Sequence, residues 1–364
     1  METITTPTSS GQLPGRLGDP DMCLGTDPRA DARLIAGMTP HGMHENAPVS
    51  VITPSSPYED RLAMIAATEA ALQDFFPTLY ADLPEVQGVE RSVETIDGVD
   101  GNAITLYIHR PASATCDVPA ILHLHGGGMA LLAAADDQFV RWRDELASRD
   151  VVVVGVEFRN SAGALGPHPF PAGLDDCTSA LMWLHAHRAE MGLSAIVVSG
   201  ESGGGNLTLA TALRARRDGN LAAIDGVYAQ CPYISGRYAE QPSHLASLRE
   251  NDCYFLERWN MAVTASVYDP DGLHADDPLA WPYHAGNDDL TGLPPHTITV
   301  NELDPLRDEG LAYHHKLRDA GVSSTCRVIV GTSHAADVIF RAAIPDVYAA
   351  SARDLVGFAY SLAG

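Results

Sequence analysis

Gly200-Glu201-Ser202-Gly203-Gly204 lies between an apolar run and a helical pattern. Ala195-Ile196-Val197-Val198 reads as a buried strand, and a helix is expected from Gly205-Asn206 through Leu207, Leu209, Ala210 and Leu213. A strand that turns at once into a helix is the repeating unit of α/β sheets. The glycines suit a turn too sharp for side chains on either side of the serine. The helix start brings backbone N–H groups and a positive dipole end near the serine oxygen. A serine hydroxyl needs such a setting, and a base, to act as a nucleophile. In a chain with 32 glycines the five residues alone also fit an ordinary glycine-rich turn.

Two further features weigh against that plainer reading. His125-Gly126-Gly127-Gly128 follows the apolar run Val118-Pro119-Ala120-Ile121-Leu122-His123-Leu124. Successive glycines expose backbone N–H groups that can receive the oxyanion formed when a hydroxyl attacks an ester carbonyl. A phosphate loop is disfavoured because no Gly-Lys-Ser/Thr follows. The second feature is the pair Asp304 and His334. Asp304-Pro305 follows the strand-like 296–300, and His334 follows the strand-like 325–330. Asp304 also fits a plain helix N-cap with proline at the first helical position. Both residues nevertheless fall past the C-terminal ends of strands, where ligand-handling groups of open α/β sheets collect. Serine, aspartate and histidine come in the chain order of α/β-hydrolases.

On these residues the chain resembles the hormone-sensitive-lipase-like esterase family of α/β-hydrolases. His125-Gly126-Gly127-Gly128, Gly200-Glu201-Ser202-Gly203-Gly204, Asp304-Pro305-Leu306-Arg307-Asp308-Glu309-Gly310, His334 and His168-Pro169-Phe170-Pro171-Ala172 carry the resemblance. The elbow is similar to that of the branch containing brefeldin A esterase. The family more often has Asp-Ser-Ala at the elbow and Tyr-Arg-Leu where Phe158-Arg159-Asn160 stands here; these departures bear on substrate range. The resemblance spans roughly residues 85–364. It implies a serine carboxylesterase that forms an acyl-enzyme and needs neither metal nor organic cofactor. Ser202 is then the nucleophile, His334 the base and Asp304 the residue orienting it. Gly127, Gly128 and Gly203 are the oxyanion donors. Soluble esters are expected as substrates, with bulky esters or lactones suggested by the brefeldin-like elbow. An acyltransferase on the same residues and a non-catalytic small-molecule receptor are the competing functions. Glu302 and Asp308 are rival acids close to Asp304, and Glu201 has no assignable role at this level.

Organisation follows the same pattern. Strands are expected near 119–124, 151–157, 195–200, 226–231, 296–301 and 325–330, alternating with helices in a doubly wound, mostly parallel sheet. Residues 91–110 alternate polar and apolar around Asp97-Gly98 and Asp100-Gly101, as antiparallel edge strands do. Residues 1–85 read as an N-terminal arm, extended to about residue 55, followed by a helix over 61–83. Residues 86–364 read as the catalytic domain. An insertion at about 235–283 carries Tyr238, Tyr254, Phe255, Trp259, Tyr268 and Trp281. With the N-terminal helix it is expected to cap the site, although most of these aromatics are expected to do no more than pack the insertion onto the core.

Charge and cysteine usage narrow the partners. Against 23 Lys and Arg stand 47 Asp and Glu, a net charge of −24. That argues against nucleic acid or an anionic membrane surface. No apolar run reaches about 18 residues, so no membrane span is expected. Residues 1–20 lack the basic and apolar regions of a secretory signal. Cys23, Cys116, Cys177, Cys231, Cys253 and Cys326 form no C-x-x-C pair and read as reduced packing residues of a cytoplasmic protein. His314-His315 falls on a helix, where neighbours point apart, and no metal is expected. The oligomeric state stays open, a homodimer through the N-terminal arm included.

Overall fold

The aliphatic runs become the central strands of one sheet. The computed structural model describes residues 18–113 and 117–363. Within them β1 (Val89–Asp97), β2 (Ala103–Pro111), β3 (Val118–Leu124), β4 (Val152–Glu157), β5 (Leu193–Glu201), β6 (Gly226–Gln230), β7 (His296–Asn301) and β8 (Ser324–Ile329) pair in the order β1-β2-β4-β3-β5-β6-β7-β8. β1 with β2 and β2 with β4 are antiparallel, and every later neighbour is parallel. β3 to β7 are buried almost throughout, as strands covered on both faces must be. β1 is the largely exposed edge. β2 lies one place inside it and buries Ile104, Leu106 and Ile108.

The helices are α1 (Ala32–Met38), α2 (Tyr58–Tyr80), α3 (Asp137–Ala147), α4 (Ala172–Ala186), α5 (Gly203–Arg217), α6 (Ser247–Glu250), α7 (Arg258–Tyr268), α8 (Asn287–Leu290), α9 (Arg307–Asp319), α10 (Ala336–Ile339) and α11 (Pro345–Leu362). Leu174, Leu181, Leu184 and Leu213 of α4 and α5 close one side of the sheet. Trp142 and Leu146 of α3, with Tyr348, Ala352 and Leu355 of α11, close the other. The chain runs from β3 outward to β4 and then returns to β5 on the far side of β3. That reversal opens a crevice at the C-terminal ends of β3 and β5, where such sheets bind ligands.

Three expectations need correction. Residues 18–56 are not simply extended. Leu24, Leu34 and Met38 bury against Tyr254, Leu303, Phe340 and Ile344, and the backbone N–H of Asp31 donates to Gly331 O at 2.9 Å. Their apolar residues are too sparse among Pro and Gly to reveal a short helix by periodicity. The rest of the expected arm, residues 1–17, lies outside the described residues. The helix expected over 61–83 runs three residues earlier, directly after Pro57. Asp304 is not an N-cap, since α9 begins only at Arg307. Its Oδ1 still accepts from Leu306 N, two residues on, at 2.9 Å, in the turn that precedes the helix.

Between β6 and β7 the chain carries α6, α7 and α8. Ile65 and Phe76 of α2 share an apolar cluster with Val263 and Val267 of α7 and with Leu131 and Leu132 after β3. The N-terminal helix and the insertion therefore meet above the crevice.

Candidate active site

Ser202 caps α5 at the end of β5 with φ 56° and ψ −118°. A non-glycine residue in this region is strained by about 1–3 kcal/mol, and its neighbours hold it there. Its N–H donates to Gln230 O at 2.9 Å, and its carbonyl accepts from Tyr233 N at 3.1 Å. The glycines on either side have a steric cause. A Cβ at Gly200 would lie 2.2 Å from Leu124 O, and one at Gly204 would lie 1.8 Å from the same oxygen. β3 and β5 run side by side, with Leu124 opposite Gly200, so the turn brushes the end of β3.

Ser202 and His334 line one cavity of about 680 Å³. His334 sits in the loop after β8 and donates its Nδ1–H to Asp304 Oδ2 at 2.7 Å. Asp304 is fully buried and lies behind the histidine, after β7. The rival acids are engaged elsewhere. Glu302 Oε2 accepts from Gly331 N at 2.8 Å, and Asp308 Oδ2 accepts from Ser247 N at 2.8 Å.

The loop after β3 comes up beside Ser202. Gly127 and Gly128 adopt φ 110° and 61° and line the cavity. A Cβ on Gly203 would stand 2.5 Å from Gly128 N, so the glycine loop and the start of α5 abut. Burial pushes the His125 imidazole down to about 3, which keeps it neutral. It stacks on Phe158, and its Nδ1–H donates to Gly126 O at 2.7 Å.

Glu201 is the residue that the sequence left without a role. It is buried beside the serine, and its Oε1 accepts from Gly126 N at 2.8 Å while Oε2 meets His123 Nε2 at 3.0 Å. Burial works to raise its pKa. The attraction of His123 and the bonds from His123 and Gly126 outweigh it, so the carboxyl titrates below its ordinary range. One signal was present: His123 and Glu201 are polar residues in otherwise apolar runs that become adjacent strands.

Leu131, Leu132, Phe139, Met261, Val338 and Ile339 give the cavity apolar walls, and residues 41–43 and 45–48 also line it. Tyr238, Tyr254, Tyr268 and Trp281 of the insertion are buried packing residues, whereas Phe255 reaches the cavity. Among the described residues one group has metal-ligand chemistry: Cys231, Asp304 and His334, with donor atoms within 4.8 Å of one another. The 2.7 Å contact between Asp304 and His334 is a hydrogen bond rather than a pair of ligands around an ion. The five described cysteines are free thiols; Cys116 lies outside the described residues. No helix among those residues is long and apolar enough to cross a membrane.

A model of the α/β-hydrolase fold matches residues 121–337, the span from β3 to the start of α10. The chain belongs to the α/β-hydrolase fold family. This hydrolase is 35% identical over 248 residues to carboxylesterase NlhH of Mycobacterium tuberculosis, covering 66% of this chain and 72% of that one. Its structure superimposes on brefeldin A esterase, described as a bacterial homologue of human hormone-sensitive lipase, with a TM-score of 0.94 and 46% identity. That match covers 96% of this chain and 99% of the other. Esterase Est22 matches with a TM-score of 0.84 and 35% identity, covering 93% of this chain and 99% of its own. The hydrolase thus falls among the hormone-sensitive-lipase-like esterases.

Proposed function

We propose that this hydrolase, a carboxylesterase by kinship, cleaves soluble carboxylic esters through an acyl-enzyme on Ser202. His334 takes the hydroxyl proton as the oxygen attacks the carbonyl, and Asp304 orients the imidazole and stabilises its charged form. The N–H groups of Gly127, Gly128 and Gly203 receive the oxyanion, each such donor contributing about 2.7–4 kcal/mol to the transition state. Protonated His334 donates to the leaving alcohol, and water repeats the cycle on the acyl group. One observation carries the reading: a strained Ser202 and an Asp304-bonded His334 line the same cavity.

α2 and the insertion at about 235–283 act as the cap over this site, and their shared cluster above the crevice supports that division. A cavity of about 680 Å³ with apolar walls suits a sizeable, largely apolar ester, since pockets for drug-sized molecules span roughly 300–1,000 Å³. Bulky esters and lactones fall within this range. The free thiols suit a reducing, cytoplasmic setting.

Hydrolysis of dissolved p-nitrophenyl butyrate at about pH 8 by wild-type and Ser202→Ala protein tests the assignment. Turnover is expected in the first and not in the second. Turnover that survives in Ser202→Ala removes Ser202 as nucleophile. A folded wild-type protein that hydrolyses no ester would point to a receptor.

A further inference from the structure

Four carboxylates from four places in the chain hold the 126–134 loop. Gly126 N donates to Glu201 Oε1 at 2.8 Å, Leu132 N to Glu69 Oε1 at 2.7 Å, Ala133 N to Asp136 Oδ2 at 3.0 Å and Ala134 N to Glu157 Oε1 at 2.7 Å. Ala130 N and Leu131 N turn inward to Gly127 O, at 3.0 and 3.1 Å. The N–H groups of Gly127 and Gly128, next to Ser202, are taken by none of these acceptors. The N–H groups of Gly126 and of residues 130–134 are thus engaged to either side of the two donors that the reaction would use.

Glu69 stands apart from the other three acids. It belongs to α2, outside the sheet, and is 5% exposed. Its second oxygen accepts from Ala164 N at 2.7 Å. Residues 160 and 161 in turn hold the glycine loop: Asn160 Nδ2 donates to Leu132 O at 2.7 Å and Ser161 N to Met129 O at 2.9 Å. One carboxylate from the N-terminal helix therefore locks two loops to each other. Burying a carboxylate on a helix that could have presented an apolar residue is unfavourable unless strong hydrogen bonds offset it. Two short bonds to N–H groups do so, and they fix backbone rather than merely add packing.

We propose that Glu69 is a positioning residue for the oxyanion donors, so that α2 belongs to the catalytic apparatus as well as to the cavity wall. This rests on Gly127 and Gly128 being the oxyanion donors, as proposed for the esterase reaction above. Because Glu69 acts on the loop and not on the bound ester, it affects the transition state more than the ground state.

The test compares wild type, Glu69→Gln and Glu69→Ala on p-nitrophenyl butyrate, with inhibition by a trifluoromethyl ketone that forms a tetrahedral adduct. Deleting an oxyanion donor outright lowers kcat by roughly 10²–10³. Misplacing the donors should cost Glu69→Ala roughly ten- to a hundredfold in kcat, with KM within about twofold. Glu69→Gln keeps one acceptor oxygen and should fall between. Ki for the ketone should rise by the factor by which kcat/KM falls. A raised KM at unchanged kcat overturns the proposal. Ile65→Ala is the packing control, since Ile65 is buried on the same helix and packs in the cluster that holds Leu131 and Leu132. An equal kcat loss in Ile65→Ala at a matched drop in Tm also overturns it. Amide exchange at Leu132 and Ala164, measured in Ser202→Ala protein, should quicken when Glu69→Gln is added, and unchanged exchange counts against the clamp. Wild-type protein without turnover sinks the esterase reading itself, whereas normal turnover in Glu69→Ala sinks only this one.

Discussion

Asp304→Asn should almost abolish turnover while leaving the fold intact, and the structure gives the reason. Asp304 Oδ1 accepts from Leu306 N at 2.9 Å and Oδ2 accepts from His334 Nδ1 at 2.7 Å. Asparagine has one acceptor oxygen and one NH2 group. If the oxygen keeps Leu306 N, the NH2 faces His334 Nδ1 and forces that nitrogen to become the acceptor. The proton then sits on Nε2, the nitrogen that receives the Ser202 proton in the proposed reaction. The reverse amide orientation sets NH2 against Leu306 N–H in a site without exposed surface, leaving two buried donors unpaired at about 1–3 kcal/mol each. The wrong tautomer therefore prevails. The corresponding change in serine proteases lowers kcat about 10⁴-fold, or about 5 kcal/mol at roughly 1.36 kcal/mol per decade. The assay is kcat on p-nitrophenyl butyrate at about pH 8, with near-UV circular dichroism to confirm folding. An Asp304→Asn enzyme within tenfold of wild type would refute the argument, as would a dead Glu302→Gln enzyme beside an active Asp304→Asn.

Two further outcomes are expected. Glu201→Gln keeps an oxygen for Gly126 N but loses the charge and turns an NH2 toward His123 Nε2; since His123 does not line the cavity, kcat should drop by about tenfold or less. Glu201→Ala frees the start of the glycine loop and should lose about 10²; equal rates in the two variants would dismiss Glu201 as a tether. Glu309 is buried, and its Oε1 accepts from Ile234 N at 2.7 Å and Tyr238 OH at 3.0 Å. Burial pushes its pKa up to about 8 despite the bonds from Ser235, Ile234 and Tyr238. The folded state then binds this proton more tightly than the unfolded chain, so its contribution to stability is greatest below the ordinary carboxyl pKa. That contribution declines as pH rises from about 4.5 to about 8, by ~1.4 kcal/mol for each pH unit crossed. Urea midpoints at pH 5, 7 and 8.5 should fall less steeply with pH in Glu309→Gln than in wild type, and parallel curves would show that the carboxyl does not titrate there.

The strands were legible because each central one is a run of aliphatic residues bounded by turn residues. β3, β5 and β7 fall within about two residues of their expected limits. The small side chains at Gly200 and Gly204 were legible as well, although their cause, Leu124 O, lies on another strand. The N-terminal segment was less so. Leu24, Leu34 and Met38 acquire meaning only through Leu303 and Phe340, which come 265 to 316 residues later, and no local period records such contacts. For Asp304 the sequence offered a plain helix cap or a place in the site; its Oδ1 does bond a backbone N–H two residues on, ahead of α9, but Oδ2 bonds His334, a contact that no local pattern records.

By itself the sequence determined the order of strands and helices, the elbow at Ser202 and the glycine loop before it, since these depend on periodicity and on backbone freedom at fixed positions. Only the tertiary structure decided what engages Glu302 and Asp308 while Asp304 meets His334, what Glu201 holds, and that Glu69 reaches the glycine loop from the N-terminal helix. The difference is physical. Secondary structure follows from neighbours along the chain, whereas a buried carboxylate is defined by the N–H groups it meets, and those come from segments that only folding brings together.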